Sequence, residues 1–210
     1  MSKKIMFKDK YCLTQAVLNG TKTMTRRLLK VPKTCNGKEV YGFNVLTNNA
    51  GTQCVDLLDE NENIVGSWAP KYEVGEVVAI AQPYKDIIER LPMHSDAILD
   101  EVGIPRKEFK AGWTNKLFVK ADLLPNHIRI TDVKVEKLHS ISDDDIMREG
   151  VWQSYDQKNL FYVSKSIGYA LDVAFLSARK AFTYLIDMVS GEGTWIFNPW
   201  VVAYSFELVD

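Results

Sequence analysis

The chain lacks any run of apolar residues long enough to cross a bilayer, which takes roughly 18 to 20 in succession, so no transmembrane helix is expected. Cysteine is scarce. Cys12, Cys35 and Cys54 lie far apart, are odd in number and form no Cys-x-x-Cys pair, which argues against a disulfide framework and for a reducing compartment. Histidine is as thin: His94, His127 and His139 are scattered, whereas a zinc site draws its ligands from a tighter set. No metal and no cofactor are expected. The basic start Lys3-Lys4 leads to no apolar stretch, because Lys8, Asp9 and Lys10 interrupt at once. A signal peptide is therefore not expected, and a cytoplasmic location is. Internal repeats and low-complexity tracts are also missing.

What is present is ordinary globular material: 210 residues, 46% hydrophobic and 25% charged, enough for one domain with insertions. The net charge of -1 hides an uneven distribution. No acidic residue falls between Lys10 and Lys38, a stretch holding Lys22, Arg26, Arg27, Lys30 and Lys33, while acids gather at 56–62 and 143–145. Such a stretch can focus a positive potential on a phosphate or serve as a solvated basic face.

The pattern predicts a short strand at 5–7, a helix capped by Asp9 and running to about Asn19, and a C′ glycine at Gly20. A strand follows over 22–29. Short strands at 41–46, 53–58 and 64–68, with a turn at Asn48-Asn49-Ala50-Gly51, form an elaborated region. Residues 74–81 read as a turn and a buried strand. Residues 85–112, punctuated by Pro92, Gly103, Pro105 and Gly112, read as an insertion with one short helix near 95–102. Further strands are expected at 116–121 and 127–138, the second bulged because its apolar parity changes between Ile130 and Val133. Ser142 caps a short helix that Gly150 ends, with Asp145 completing a capping-box pattern. The longest helix is expected over 171–189, and the last strand over 200–208. Many short strands with a few helices imply an α+β fold, a small β-barrel with helices at its openings and insertions near 33–70, 85–112 and 151–167.

Three residues attract attention as chemistry. A threonine hydroxyl attacks only if a base removes its proton. Lys22 can be that base for Thr25 if burial or the neighbouring Arg26 and Arg27 lower its pKa. Residues three apart in a regular strand face opposite ways, so the pair needs a bend. Glu149 sits at a helix C-terminus, where the dipole disfavours a carboxylate, which suggests either a partner or a solvated helix end. Thr23, Arg26 and Arg27 flank these positions, and Arg27 can pair with a phosphate or with Glu149. Trp113 and Trp152 are candidates for stacking on a base.

The ordered set of segments Leu18-Asn19-Gly20-Thr21-Lys22-Thr23-Met24-Thr25-Arg26-Arg27, Tyr72-Glu73-Val74-Gly75-Glu76-Val77, 130–150 and Asn198-Pro199-Trp200-Val201-Val202-Ala203-Tyr204-Ser205-Phe206 resembles the ASCH domain family, particularly its larger phage and bacterial members. The first segment is similar to that family's GxKxxTxR signature. The resemblance implies a PUA-like barrel and a nucleoside, nucleotide or RNA ligand. A compact branch of the family removes the acetyl group from N-acetylcytidine. Carried over, its amidohydrolase chemistry makes Thr25 the nucleophile, Lys22 the base and Glu149 the acid, with Gly20, Thr23, Arg26 and Arg27 as ligand-binding residues. Ala81-Gln82 stands where larger members often carry an Arg-Glu pair. Two other readings stay open: a non-catalytic RNA- or nucleotide-binding module, and a phage-derived accessory protein acting through protein partners.

Overall fold

The structure, a computed structural model, describes residues 2–47, 53–90, 95–163 and 173–209. The strands are β1 (Lys4–Ile5), β2 (Met24–Leu28), β3 (Thr34–Cys35), β4 (Lys38–Glu39), β5 (Gly42–Thr47), β6 (Gln53–Leu58), β7 (Ile64–Trp68), β8 (Val77–Ile80), β9 (His127–Lys137), β10 (Val151–Gln153), β11 (Phe161–Val163) and β12 (Trp200–Leu208). The α-helices are α1 (Leu13–Leu18), α2 (Tyr84–Ile87), α3 (Ser95–Ile98), α4 (Lys107–Lys110), α5 (Asp143–Arg148), α6 (Ala178–Ser190) and α7 (Thr194–Phe197). The fold is α+β. Among the described residues, no helix is long and apolar enough to cross a membrane.

The central sheet has the order β1-β8-β9-β12-β2, antiparallel except for the β1–β8 pair. Its two outer strands are tied by a side chain: Arg27 of β2 donates through Nη2 to the carbonyl of Met6, just past β1, at 2.8 Å. A sheet whose edges are within reach of one arginine is strongly curled. Its apolar residues, among them Ile5, Val78, Ile80, Ile128, Ile130, Val202 and Phe206, form the main core with Phe182 and Leu185 of α6.

β9 carries the expected bulge. Ser205 pairs with Asp132 and Phe206 with Ile130, so Thr131 is left over. Aligning two apolar runs of opposite parity requires one extra residue. The described parts of the three insertions add to this frame. The sheet β5-β6-β7 leans on the central sheet through Gln53, whose amide exchanges bonds with both backbone groups of Val135 at 2.9 and 2.6 Å. The α2 to α4 region closes a second small core around Tyr84, Ile98 and Phe109. β10 and β11 form a hairpin.

The structure corrects three expectations. The first helix is split: Cys12 adopts φ +52° between a 3₁₀ turn at Asp9–Tyr11 and α1. Asp9 does not cap it, since its carboxylate accepts from Thr14 at 2.5 Å and Lys116 at 2.7 Å. Residues 116–121 are not a strand but two 3₁₀ turns, Lys116–Phe118 and Ala121–Leu123. The carbonyls of Leu117 and Val119 accept from the Lys4 ammonium at 2.8 and 2.5 Å instead of from a neighbouring strand. The longest helix begins at Ala178, because Phe175 is drawn into an extended bridge with Phe161 (2.8 Å in both directions) and Ser177 then caps α6. Leu171 and the turn expected at 48–51 lie outside the described residues.

Candidate functional site

The site begins where α1 stops. Gly20 has φ +72°, Gly20 N–H bonds the Val17 carbonyl and Thr21 N–H bonds the Ala16 carbonyl, each at 2.9 Å. These are the two bonds of a Schellman ending, and the left-handed residue between them favours glycine. Lys22 N–H also reaches Ala16, so the chain has turned before β2 starts at Met24. The turn lies before Lys22 and does not bring Lys22 and Thr25 together. Thr23 then bridges two elements: its N–H bonds the Arg148 carbonyl, and its carbonyl accepts from Phe206, both at 2.9 Å.

The second half of the site is the end of α5. Ser142 caps its start through the Asp145 N–H at 3.1 Å, and Glu149 is the C-cap, followed by Gly150 at φ +103°. Lys22 reaches this end. Its Nζ donates to Glu149 Oε2 at 2.8 Å and to the Glu149 carbonyl at 2.6 Å. The ammonium therefore neutralises the carboxylate and satisfies a terminal helix carbonyl together. Both side chains are buried, 2% and 5% exposed.

Arg26 completes the cluster. Nη1 bonds Glu149 Oε1 at 3.2 Å, Nε and Nη2 bond Glu136 Oε1 at 2.9 and 2.7 Å, and Nη2 bonds Asp145 Oδ2 at 3.1 Å. Nη1 also touches Met24 Sδ at 3.0 Å. A guanidinium has five N–H donors, and these contacts occupy them. Arg26, expected to meet a ligand, instead clamps three carboxylates of the protein. Glu136 and Asp145 were not singled out as site residues in the sequence. Asp145 was assigned only a capping role, yet its carboxylate goes to Arg26 and, at 3.3 Å, to Arg148.

Burial pushes the Lys22 pKa down from the ordinary 10.5. Glu149 counters this, and Arg27 and Arg26 add to the fall. Burial acts in the same direction on Arg26, but Glu149, Glu136 and Asp145 outweigh it and raise its pKa. The cluster thus holds one firmly charged cation and one amine biased toward neutrality.

Thr25 lies apart from this network. It is buried and paired with Tyr204, and as the strand neighbour of Arg26 it presents the opposite face of β2. Its hydroxyl makes no hydrogen bond among the described residues, to Lys22 or to any other group. Arg27 shares the Thr25 face. Among the described residues it pairs neither with Glu149 nor with another carboxylate; apart from Nη2 on Met6, its Nε is buried without a partner. Thr23 Oγ1 accepts from Arg148 Nε at 3.2 Å. Of the stacking candidates, Trp113 packs against the second core. Trp152 is 38% exposed and stacks on Tyr162 at 4.7 Å and 23°.

A cleft of about 560 Å³ opens beside the end of α1. Gln15, Leu18 and Asn19 form one wall, and Gln82 with residues 85–90 forms the other. Strand register puts this wall on the site's rim: the β8 end at Ile80, the β9 start at His127, the β12 end at Leu208 and the β2 start at Met24 lie at one end of the sheet. Gln82 was noted in the sequence only as a departure from a charge pair; its arrival in a cleft wall had no sequence signal. Among the described residues no group of His, Cys, Asp and Glu could hold a metal ion. Compared with protein-family models, with curated proteins and with solved structures, the chain matches none.

Proposed function

We propose that this chain is an ASCH-type, PUA-like domain that binds a nucleoside, nucleotide or RNA ligand beside the Gly20–Arg27 turn, and that it hydrolyses an N-acyl amide on that ligand. The curl of the central sheet, with Arg27 bridging its edges, supports the barrel reading. The observation that carries the chemical reading is the buried Lys22–Glu149 pair at 2.8 Å, whose amine is pushed toward neutrality by desolvation.

Moving one proton from Lys22 Nζ to Glu149 creates a base and an acid in one step. Low dielectric favours that neutral pair, and Arg26 opposes it. The neutral amine then takes the proton of Thr25 as Oγ1 attacks the acyl carbonyl. Glu149 protonates the departing amine as the C–N bond breaks. Water hydrolyses the resulting Thr25 ester and returns the carboxylic acid and the free hydroxyl.

One observation favours a second reading, binding without turnover: Thr25 faces away from Arg26 and makes no hydrogen bond to Lys22. A single assay separates the two. The protein is incubated with N4-acetylcytidine and released acetate is measured. On the hydrolytic reading wild type releases acetate, and Thr25→Ala and Lys22→Met each lose about 10²- to 10⁴-fold. Full turnover by Thr25→Ala overturns the mechanism. Binding of the nucleoside with no acetate from wild type establishes the non-catalytic reading.

A further inference from the structure

The cleft beside α1 differs in chemistry from the charged cluster next to it. Its uncharged polar lining is carboxamide. Gln15 Nε2 donates to Asn19 Oδ1 at 2.7 Å, and Asn126 Nδ2 donates to Gln82 Oε1 at 2.6 Å. Gln82 and Asn126 are each only 9% exposed. A carboxamide has two donors and a two-fold acceptor. The bond to Asn126 uses the Gln82 oxygen, and Gln82 Nε2 has no partner among the described residues. That donor is not among the buried, unsatisfied side-chain atoms, so it opens into the cleft, where an acceptor can take it.

The rest of the wall narrows what that is. Leu18 and Ile88 give apolar surface. The charges at the mouth, Lys85 and Arg90 against Asp86 and Glu89, are balanced in sign, which does not suit a phosphate. A flat, neutral group edged with acceptors and donors suits both the amides and the apolar surface, and that is the pattern a nucleobase edge presents. We propose that this cleft is a nucleobase-reading subsite in which Gln82 Nε2 donates to a ring nitrogen or carbonyl of the base, with the exposed Gln15–Asn19 pair at its outer edge. The assignment rests on the nucleoside reading above and gives it a place for the base, separate from the Lys22–Glu149 pair.

The test titrates the full chain with cytidine, uridine and ribose 5-phosphate by calorimetry. Cytidine binds and ribose 5-phosphate does not displace it. Gln82→Leu weakens cytidine about 3- to 10-fold, the value of one neutral hydrogen bond. Gln82→Glu, which loses the donor, shifts the cytidine-to-uridine ratio, whereas a merely structural loss weakens both alike. Gln15→Ala, on an exposed side chain with no fold at stake, weakens cytidine by a smaller factor. Cytidine binding unchanged in both Gln82→Leu and Gln15→Ala overturns the subsite while leaving the nucleoside reading intact. An unchanged ratio in Gln82→Glu, or displacement by ribose 5-phosphate, overturns the subsite too. No binding of either nucleoside to wild type overturns both.

Discussion

The two faces of β2 carry the same residue type to opposite outcomes. Arg26 points into a nest of three carboxylates that uses all its donors. Its neighbour Arg27 points the other way, gives one bond to the Met6 carbonyl and strands its Nε. One face is a saturated network in which removing a member leaves the others uncompensated. The other is a tie between sheet edges built on one neutral acceptor. A run of basic residues in the sequence is therefore no measure of a free basic surface.

The comparison can be broken by mutation, starting with the largest effect. Glu149→Ala leaves Lys22 buried with no carboxylate and removes one of the three from Arg26, so stability falls by about 3–5 kcal/mol in urea unfolding. A loss under about 1 kcal/mol means that water reaches the pair. Arg26→Met costs less, about 2–3 kcal/mol, because Glu149 keeps Lys22 while Glu136 and Asp145, 22% and 26% exposed, regain water. Arg27→Met is the decisive contrast: it removes an unsatisfied buried donor along with one bond, so its effect stays within about 1 kcal/mol of zero. Equal costs for Arg26→Met and Arg27→Met would erase the distinction between the faces.

A fourth prediction concerns pH. The folded pKa of Lys22 lies below the unfolded value of 10.5. Between those two values the unfolded chain holds a proton that the folded chain has released, so stability rises with pH across that window. Below the folded pKa both states are protonated and the contribution is flat. Wild type should therefore gain stability relative to Lys22→Met as pH rises toward 10.5. A difference that shrinks over that range contradicts the burial argument. A small effect is expected at Gly20. Its φ of +72° is open to alanine in space but not in backbone preference, so Gly20→Ala costs about 1 kcal/mol in the same unfolding measurement.

Much of the frame was legible because local chemistry dictated it. Gly20 announces the helix ending, Ser142 and Gly150 bracket α5, and the parity change between Ile130 and Val133 forces the bulge that leaves Thr131 unpaired. Lys22 and Glu149 were visible as an awkward amine and an awkward carboxylate, though only the fold brings them to 2.8 Å. What depended on long-range register was hidden. Glu136 reaches Arg26 because β9, β12 and β2 align as they do, and no local pattern encodes that alignment. Residues 116–121 misled because the short apolar run Leu117-Phe118-Val119 suggests a strand, whereas Lys4, distant in sequence, takes their carbonyls. Gln82 looked like a lost charge pair and became informative only once Asn126 and the cleft surrounded it.

The strand order has a consequence in time. Among the described residues β2, near one end of the sequence, has a single strand neighbour, and that neighbour is β12, near the other. Lys22 and Glu149 are themselves 127 residues apart. During synthesis the Gly20–Arg27 segment emerges long before β12, the strand that pairs with it. Contacts this distant in sequence slow folding, and an unpaired strand left open meanwhile invites the wrong partner.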